Sequence, residues 1–392
     1  MALVLGPHIL GARIVVDGRG SGRELDANRK KSVDLRGAFD STADAARGLT
    51  GTLVGLAGAL GAGGVSFGLG QAIQNAAKFE TGIARIQTLL PQGQSAVRMY
   101  GKEIEDLARR SGTAAGDISD VFYESLSAGV NPARLSGFTD SIMKAAVGGF
   151  ADPKIVTDVV TSAMSNWKLT AGEATRITDV LSTAANIGKT TIQELGSSMG
   201  TVAPIASTLG ASLQDVSATL AVATLKGIRT AEASTALRAA FTAVMNPSAQ
   251  AAKLAKELGI NFSESAIKSM GFGHWLEELA QKTKGSATAM GTLMGSSEAT
   301  GLMLKLTASD GVTAFKSALE QMDASAGLTQ RNYETVMNTW ERRTAKMSES
   351  FSRLMRNVGK AIMNEIGGGP EKITSRLDSM ADKAEDIVHR IV

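Results

Sequence analysis

The sequence predicts an all-α protein: an array of short helices, with a glycine-rich apolar segment before it and a longer, coiled-coil-like helix near its end. Three observations predict this. Apolar residues recur at three- and four-residue spacing through most of the chain, the mark of helices with one buried face. Capping residues open these runs, and glycine or Asn-Pro closes them. Strand signals are scarce after one short stretch. Aromatic residues supply only 4% of 392 residues, whereas Gly alone supplies 43. The expected packing is therefore close helix-on-helix contact through small side chains rather than one thick core.

Residues 12–17, ARIVVD, read as a short strand ended by Gly18, Gly20 and Gly22. Residues 26–47 read as a polar helix with a basic stretch at Arg29, Lys30 and Lys31. Residues 49–73 then carry no charge, between Arg47 and Lys78. That length suffices to cross a bilayer as a helix. Its apolar residues are Leu49, Leu53, Val54, Leu56, Leu60, Val65, Phe67, Leu69 and Ile73. Gly51/Gly55 and Gly64/Gly68 have the spacing that lets two helix backbones approach closely. Eight glycines also lower its helix propensity. The segment reads either as conditionally membrane-inserting or as a shielded connector.

From about 78 to 310 the short helices follow one another. Ser95 opens one, with Tyr100, Ile104, Leu107 and Ala108 inward, and Gly112 ends it. Asp117 is the expected cap of the next, which closes at Gly129 and Pro132. Thr170 and Glu173 form a capping box, in which each side chain satisfies a backbone N–H of the other residue. Ile177, Val180, Leu181 and Ala184 follow on one face, to Gly188. Thr190 and Gln193 read as a second box, with Pro204 bounding that helix. Ser212 opens a helix running to Gly227, Asn246-Pro247 stops another, and Gly259 ends the one after. Trp167, Trp275 and Trp340 all fall on apolar helix faces, which points to core anchoring.

From Gln330 to Ile366 there is no proline, and Gly359 is the single glycine. Tyr333, Met337, Trp340, Thr344, Met347, Phe351, Leu354, Val358 and Ala361 alternate steps of four and three. That 3.5-residue period is a coiled-coil seam, or the apolar stripe of one long helix packed on the core. Gly367 to Pro370 ends the run, and a short amphipathic tail follows to Val392. The expected organisation is a strand and polar helix over 1–48, the glycine-rich segment 49–73, a helical core 74–328, and the long helix with its tail over 329–392.

Catalytic signatures are missing from the sequence. Cysteine is absent, which excludes disulfides and thiolate chemistry. His8, His274 and His389 are far apart, without the clustering that metal ligation needs. No catalytic residue, metal ligand or cofactor is expected. A net charge of +3 does not point to a dedicated nucleic-acid surface. Glu124-Ser125 and Gly301-Leu302-Met303 bear a faint likeness to lytic transglycosylases, but Leu304 stands where those have glutamine. Glu124 falls off its helix's apolar face and is expected to be solvated, which does not suit a general acid.

One ordered series is more specific. It runs from Ala77-Lys78-Phe79-Glu80-Thr81-Gly82-Ile83 through Ser125-Leu126-Ser127-Ala128-Gly129 to Ala203-Pro204-Ile205-Ala206. Leu209-Gly210-Ala211-Ser212-Leu213, Lys226-Gly227-Ile228-Arg229-Thr230-Ala231-Glu232-Ala233 and Thr235-Ala236-Leu237-Arg238 come next, and Asn246-Pro247-Ser248 and Leu258-Gly259-Ile260 close it. In order and spacing this resembles the core of phage tail tape measure proteins, over roughly 75 to 360. The resemblance implies a non-enzymatic protein of the virion tail. It would occupy the tube lumen, set tail length during assembly in the host cytoplasm, and leave ahead of the DNA at infection. It also implies partners: the tail tube protein, assembly chaperones, tail-tip or baseplate proteins, further copies of itself, and in passing the host inner membrane and phage DNA. Members of this family are commonly longer; at 1.5 Å per residue a fully helical chain of this length would span about 590 Å. Two alternative readings are a membrane-active helical pore former and a tail-associated peptidoglycan hydrolase.

Overall fold

A computed structural model describes residues 77–90 and 94–366, within a unit running from Gln71 to Gly367. Among the described residues the regular structure is helical, and no strand occurs. The strand expected at 12–17, the polar helix at 26–47, the segment 49–73 and the tail after Gly367 lie outside them.

The helices are α1 (residues 77–89), α2 (Gln94–Ser111), α3 (Ala115–Ser127), α4 (Leu135–Gly148), α5 (Pro153–Trp167) and α6 (Ala174–Ile187). Then come α7 (Ile192–Leu209), α8 (Leu213–Leu225), α9 (Thr230–Met245), α10 (Ala249–Leu258), α11 (Glu264–Met270) and α12 (Phe272–Thr283). The last are α13 (Ala287–Met294), α14 (Ser297–Thr307), α15 (Ser309–Asp323), α16 (Leu328–Met337) and α17 (Trp340–Ile366).

Local chemistry sets most helix boundaries. Thr191/Glu194 and Ser212/Asp215 form reciprocal capping boxes at the starts of α7 and α8. The Asp152, Ser248, Ser263, Ser286 and Ser296 side chains each accept a backbone N–H at the start of α5, α10, α11, α13 and α14. Several helices end in a residue of positive φ, followed by one that reaches back to a carbonyl five positions earlier. Gly129 (φ 85°) precedes Val130, whose N–H donates to the Ser125 carbonyl, and Val130 then enters the core. The sharp turn and the following apolar anchor are thus one device, which redirects the chain at the helix end.

Phe150 performs the same turn after α4 without being glycine. Its φ is 51°, and its ring is 74% exposed. A left-handed conformation costs an L-residue about 1–2 kcal/mol, and an exposed ring recovers little of that. Phe150→Gly is therefore expected to raise stability by about 0.5–1 kcal/mol, after allowing for glycine's larger unfolded-state entropy. Urea unfolding midpoints check this; a lowered midpoint would mean that the ring is held by contacts.

At the centre lies α8, with ten of its 13 residues buried. It packs against α6, α7, α9, α14 and α15. A helix buried all round needs no polar face, and its Ala218, Ala221 and Ala223 let the neighbours approach. A second focus is aromatic. Phe272 meets Phe241 and Phe315 edge-on at 5.3 and 5.8 Å between centroids and stacks with Trp275 at 5.9 Å. Trp275 also tilts against Phe262 at 5.8 Å, and its indole N–H donates to the Asn261 carbonyl.

Several expectations are corrected. α3 begins at Ala115 with Ala114 as its cap; Asp117 lies in the first turn and pairs with Lys78 at 2.5 Å. The second capping box is one residue further on than Thr190/Gln193. Only a carboxylate at Glu194 reaches back to the Thr191 N–H, and the Gln193 side chain accepts from the Asp152 N–H instead. Pro204 lies inside α7 and does not end it. The one carbonyl that its missing N–H leaves free belongs to Gly200, which is exposed to water. The single helix expected from Gln330 to Ile366 is two helices, interrupted at Asn338 and Thr339. Trp275 is buried and Trp167 half-buried as expected, but Trp340 is 80% exposed.

Candidate functional site

Three places could carry function. The first is a cleft of about 490 Å³ between α3 and α5, lined by Glu124, Ser127, Lys154, Thr157, Asp158 and Thr161. Glu124 and Lys154 belong to a charge network centred on Asp120. Asp120, nearly buried, pairs with Arg85 at 2.9 Å and Lys154 at 3.1 Å, and Lys154 lies 3.8 Å from Glu124. Arg85 also sits over the Tyr123 ring at 4.0 Å. Glu124 is half-buried rather than fully solvated. Burial pushes its carboxyl up from the ordinary range, against the pull of Lys154. The network joins α1, α3 and α5, and its carboxylates are engaged in holding helices together. The Gly301-Leu302-Met303 piece is not brought to Glu124: Leu302 and Met303 are buried in α14, which packs against α8, α9 and α15. Among the described residues no cluster of three or more His, Asp or Glu could hold a metal, and His274 is exposed.

The second place is the segment 49–73. Leu49, Leu53, Val54, Leu56, Leu60, Val65, Phe67, Leu69 and Ile73 lie outside the described residues, as do Gly51, Gly55, Gly64 and Gly68. Among the described residues no helix is long and apolar enough to cross a membrane.

The third place is the C-terminal helix pair, where the stripe read from the sequence divides. Tyr333 and Met337 on α16 face inward and form a small cluster with Val147 and Val336. Trp340 and Met347 on α17 face solvent, at 80% and 72% exposure. Phe351, Leu354 and Val358 fall within α17. The division follows from how the helices are held. α16 packs on α4 and α6, and α17 packs along α2. α17 is held there by Arg353, which reaches Glu105 at 3.3 Å, and by Arg356, buried over the Phe79 ring and paired with Glu349 at 2.7 Å. Burial pushes the Glu349 carboxyl up, with Arg356 opposing it.

The sequence reading did not single out Asp179. It lies on α6 at 3% exposure, and its two carboxylate oxygens accept the backbone N–H groups of Gly327 and Thr329, each at 2.8 Å. Gly327 is the N-cap of α16 and has no side chain to cap with. Asp179 therefore caps α16 from another helix, and a hydroxyl contact between Ser182 and Thr329 at 3.1 Å lies beside it. The one local signal is an acid set among Ile177, Val180 and Leu181 on an otherwise apolar face.

The family model for phage-related minor tail proteins matches residues 101–295, from α2 to just past α13. That stretch is similar to phage-related minor tail proteins. The chain also aligns with curated relatives over a longer span. The chain is 27% identical over 302 residues to a probable tape measure protein of Clostridium phage phiCD119, covering 74% of this chain and 32% of that protein. It is 20% identical over 319 residues to a tape measure protein of Pneumococcus phage Dp-1, covering 79% of this chain and 28% of that one. The chain thus spans about a third of the length of the curated relatives it matches. No solved structure matches it.

Proposed function

We propose that the chain acts as a tape measure protein of a phage tail, non-enzymatically, by occupying the lumen of the tail tube and setting its length during assembly. The observation that carries this reading is the match to tape measure proteins across three quarters of the chain. It is supported by an α-helical architecture whose buried charges serve helix packing. Its partners would be the tube protein, assembly chaperones, tail-tip proteins and further copies of the chain. Residues 49–73 would supply the membrane-active segment on ejection, 74–328 the folded core, and 329–392 the extended, self-associating part.

A ruler made of helix shortens by its axial rise. Removing 14 residues in frame from within residues 344–366 should shorten the tail by about 21 Å, at 1.5 Å per residue. Averaged electron micrographs of tails from deletion and parental phages measure this directly. Tails of unchanged length would remove α17 from the ruler, and normal tails from a producer lacking the gene would remove the whole reading.

A further inference from the structure

Among the residues whose burial is described, the last buried member of the main apolar core is Met322 of α15, and none comes from α16 or α17. The few buried apolar contacts of α16 form a separate small cluster of Val147, Val336, Met337 and Tyr333. What fixes the start of α16 is polar and comes from elsewhere, namely the buried Asp179 carboxylate on the Gly327 and Thr329 N–H groups. Further along, the Tyr333 hydroxyl donates to the Arg110 carbonyl at 3.2 Å. The α17 side chains with described contacts to α1 and α2 are arginines. Buried polar atoms are left over at this seam: Arg356 Nε and Glu103 Oε2 have no hydrogen-bond partner. Packing between α4 and α16 is also close, with a Cβ at Gly148 falling 2.8 Å from the Tyr333 nitrogen.

We propose that residues 327–366 form an arm that leaves and regains the body of the protein as a unit, with Asp179 as its catch, while α3–α15 remain folded. Among the residues whose burial is described, the arm adds no apolar side chain to the main core, and its one described contact there is Arg356 over the Phe79 ring. Detachment gives up the two N–H···carboxylate bonds to Asp179, one small apolar cluster, the Tyr333–Arg110 hydrogen bond and the Arg353 and Arg356 contacts to α2 and α1. The interruption at Asn338 and Thr339 exists because α16 and α17 are pinned to different helices. Off the body, Tyr333 and Met337 fall into one stripe with Trp340 and Met347, at the 3.5-residue spacing of a coiled-coil seam. The catch is independent of whether the chain measures a tail.

Hydrogen exchange of the full chain, read by mass spectrometry, tests this. In the unaltered protein the amides of 328–337 should exchange through an opening that leaves those of 213–225 protected. Asp179→Ala removes the acceptor while suiting the interior of α6, and should speed exchange across 328–337 by roughly tenfold to a hundredfold. Rates in α8 should be unchanged. Gly148→Ala should give the same pattern through crowding at Tyr333, with the carboxylate intact. Equal exchange of α16 and α8 in the unaltered protein would overturn the proposal. So would Asp179→Ala leaving 328–337 unchanged, accelerating α8 equally, or unfolding the whole chain.

Discussion

Trp275→Ala is expected to lower stability by about 3–5 kcal/mol, the usual cost of emptying a fully buried aromatic site. In a domain of this size that corresponds to a fall in Tm of roughly 6–15 °C by calorimetry. Trp275 is 1% exposed, and it holds three things at once: Phe272 on its own helix, Phe262 in the segment between α10 and α11, and the Asn261 carbonyl. Phe272 in turn meets Phe241 of α9 and Phe315 of α15. Losing the indole leaves a cavity that these rigid rings cannot close, together with a carbonyl that loses its donor. Trp340→Ala supplies the contrast. That ring is 80% exposed, so its removal should change stability by no more than about 0.5 kcal/mol. Similar losses from both substitutions would mean that the aromatic cluster does not hold the core.

Gly311→Ala is the second large effect, and helix propensity gives it the wrong sign. Gly311 lies in the first turn of α15, where alanine would ordinarily gain about 1 kcal/mol over glycine. A Cβ there would stand 2.1 Å from the Lys305 carbonyl oxygen and 2.7 Å from that of Leu306. Both are backbone atoms at the end of α14, which no rotamer change can move aside. The α14–α15 corner would have to open, at a net cost of about 1–3 kcal/mol. Gly301→Ala, where nothing lies within 4 Å of the added carbon, should instead gain up to about 1 kcal/mol. Urea midpoints of opposite sign for the two glycines are the expected result. A stabilised Gly311→Ala protein would refute the close approach at that corner.

Much of the helix train is legible because its signals are local. The Thr170/Glu173 box, the Ser212 start and the Gly188 and Gly259 stops each involve residues within one turn of each other. The misses share a different cause. Thr190 and Thr191 are indistinguishable by type, and the choice between them rests on Glu194 reaching back while Gln193 is drawn to Asp152. Pro204 reads as a stop, yet the carbonyl it frees faces water. The interruption at Asn338 carries no glycine or proline, and it arises from what the two flanking helices pack against. Asp179 is the clearest case. Its partners lie 148 and 150 residues away, so no window of sequence joins a mid-helix acid to the bare start of another helix. The likeness to tail proteins was legible through an ordered series of short motifs, none of them decisive alone.

The central position of α8 has a mechanical consequence. The helices on either side of it in sequence, α6 and α7 before and α9, α14 and α15 after, all close around it. A chain drawn out by tension from its C-terminal end would shed α17 and α16 first, then peel α15 and α14, and would only then uncover α8. Such a body unravels in an order written by its own wrapping, outermost turn first, and gives up its innermost rod last.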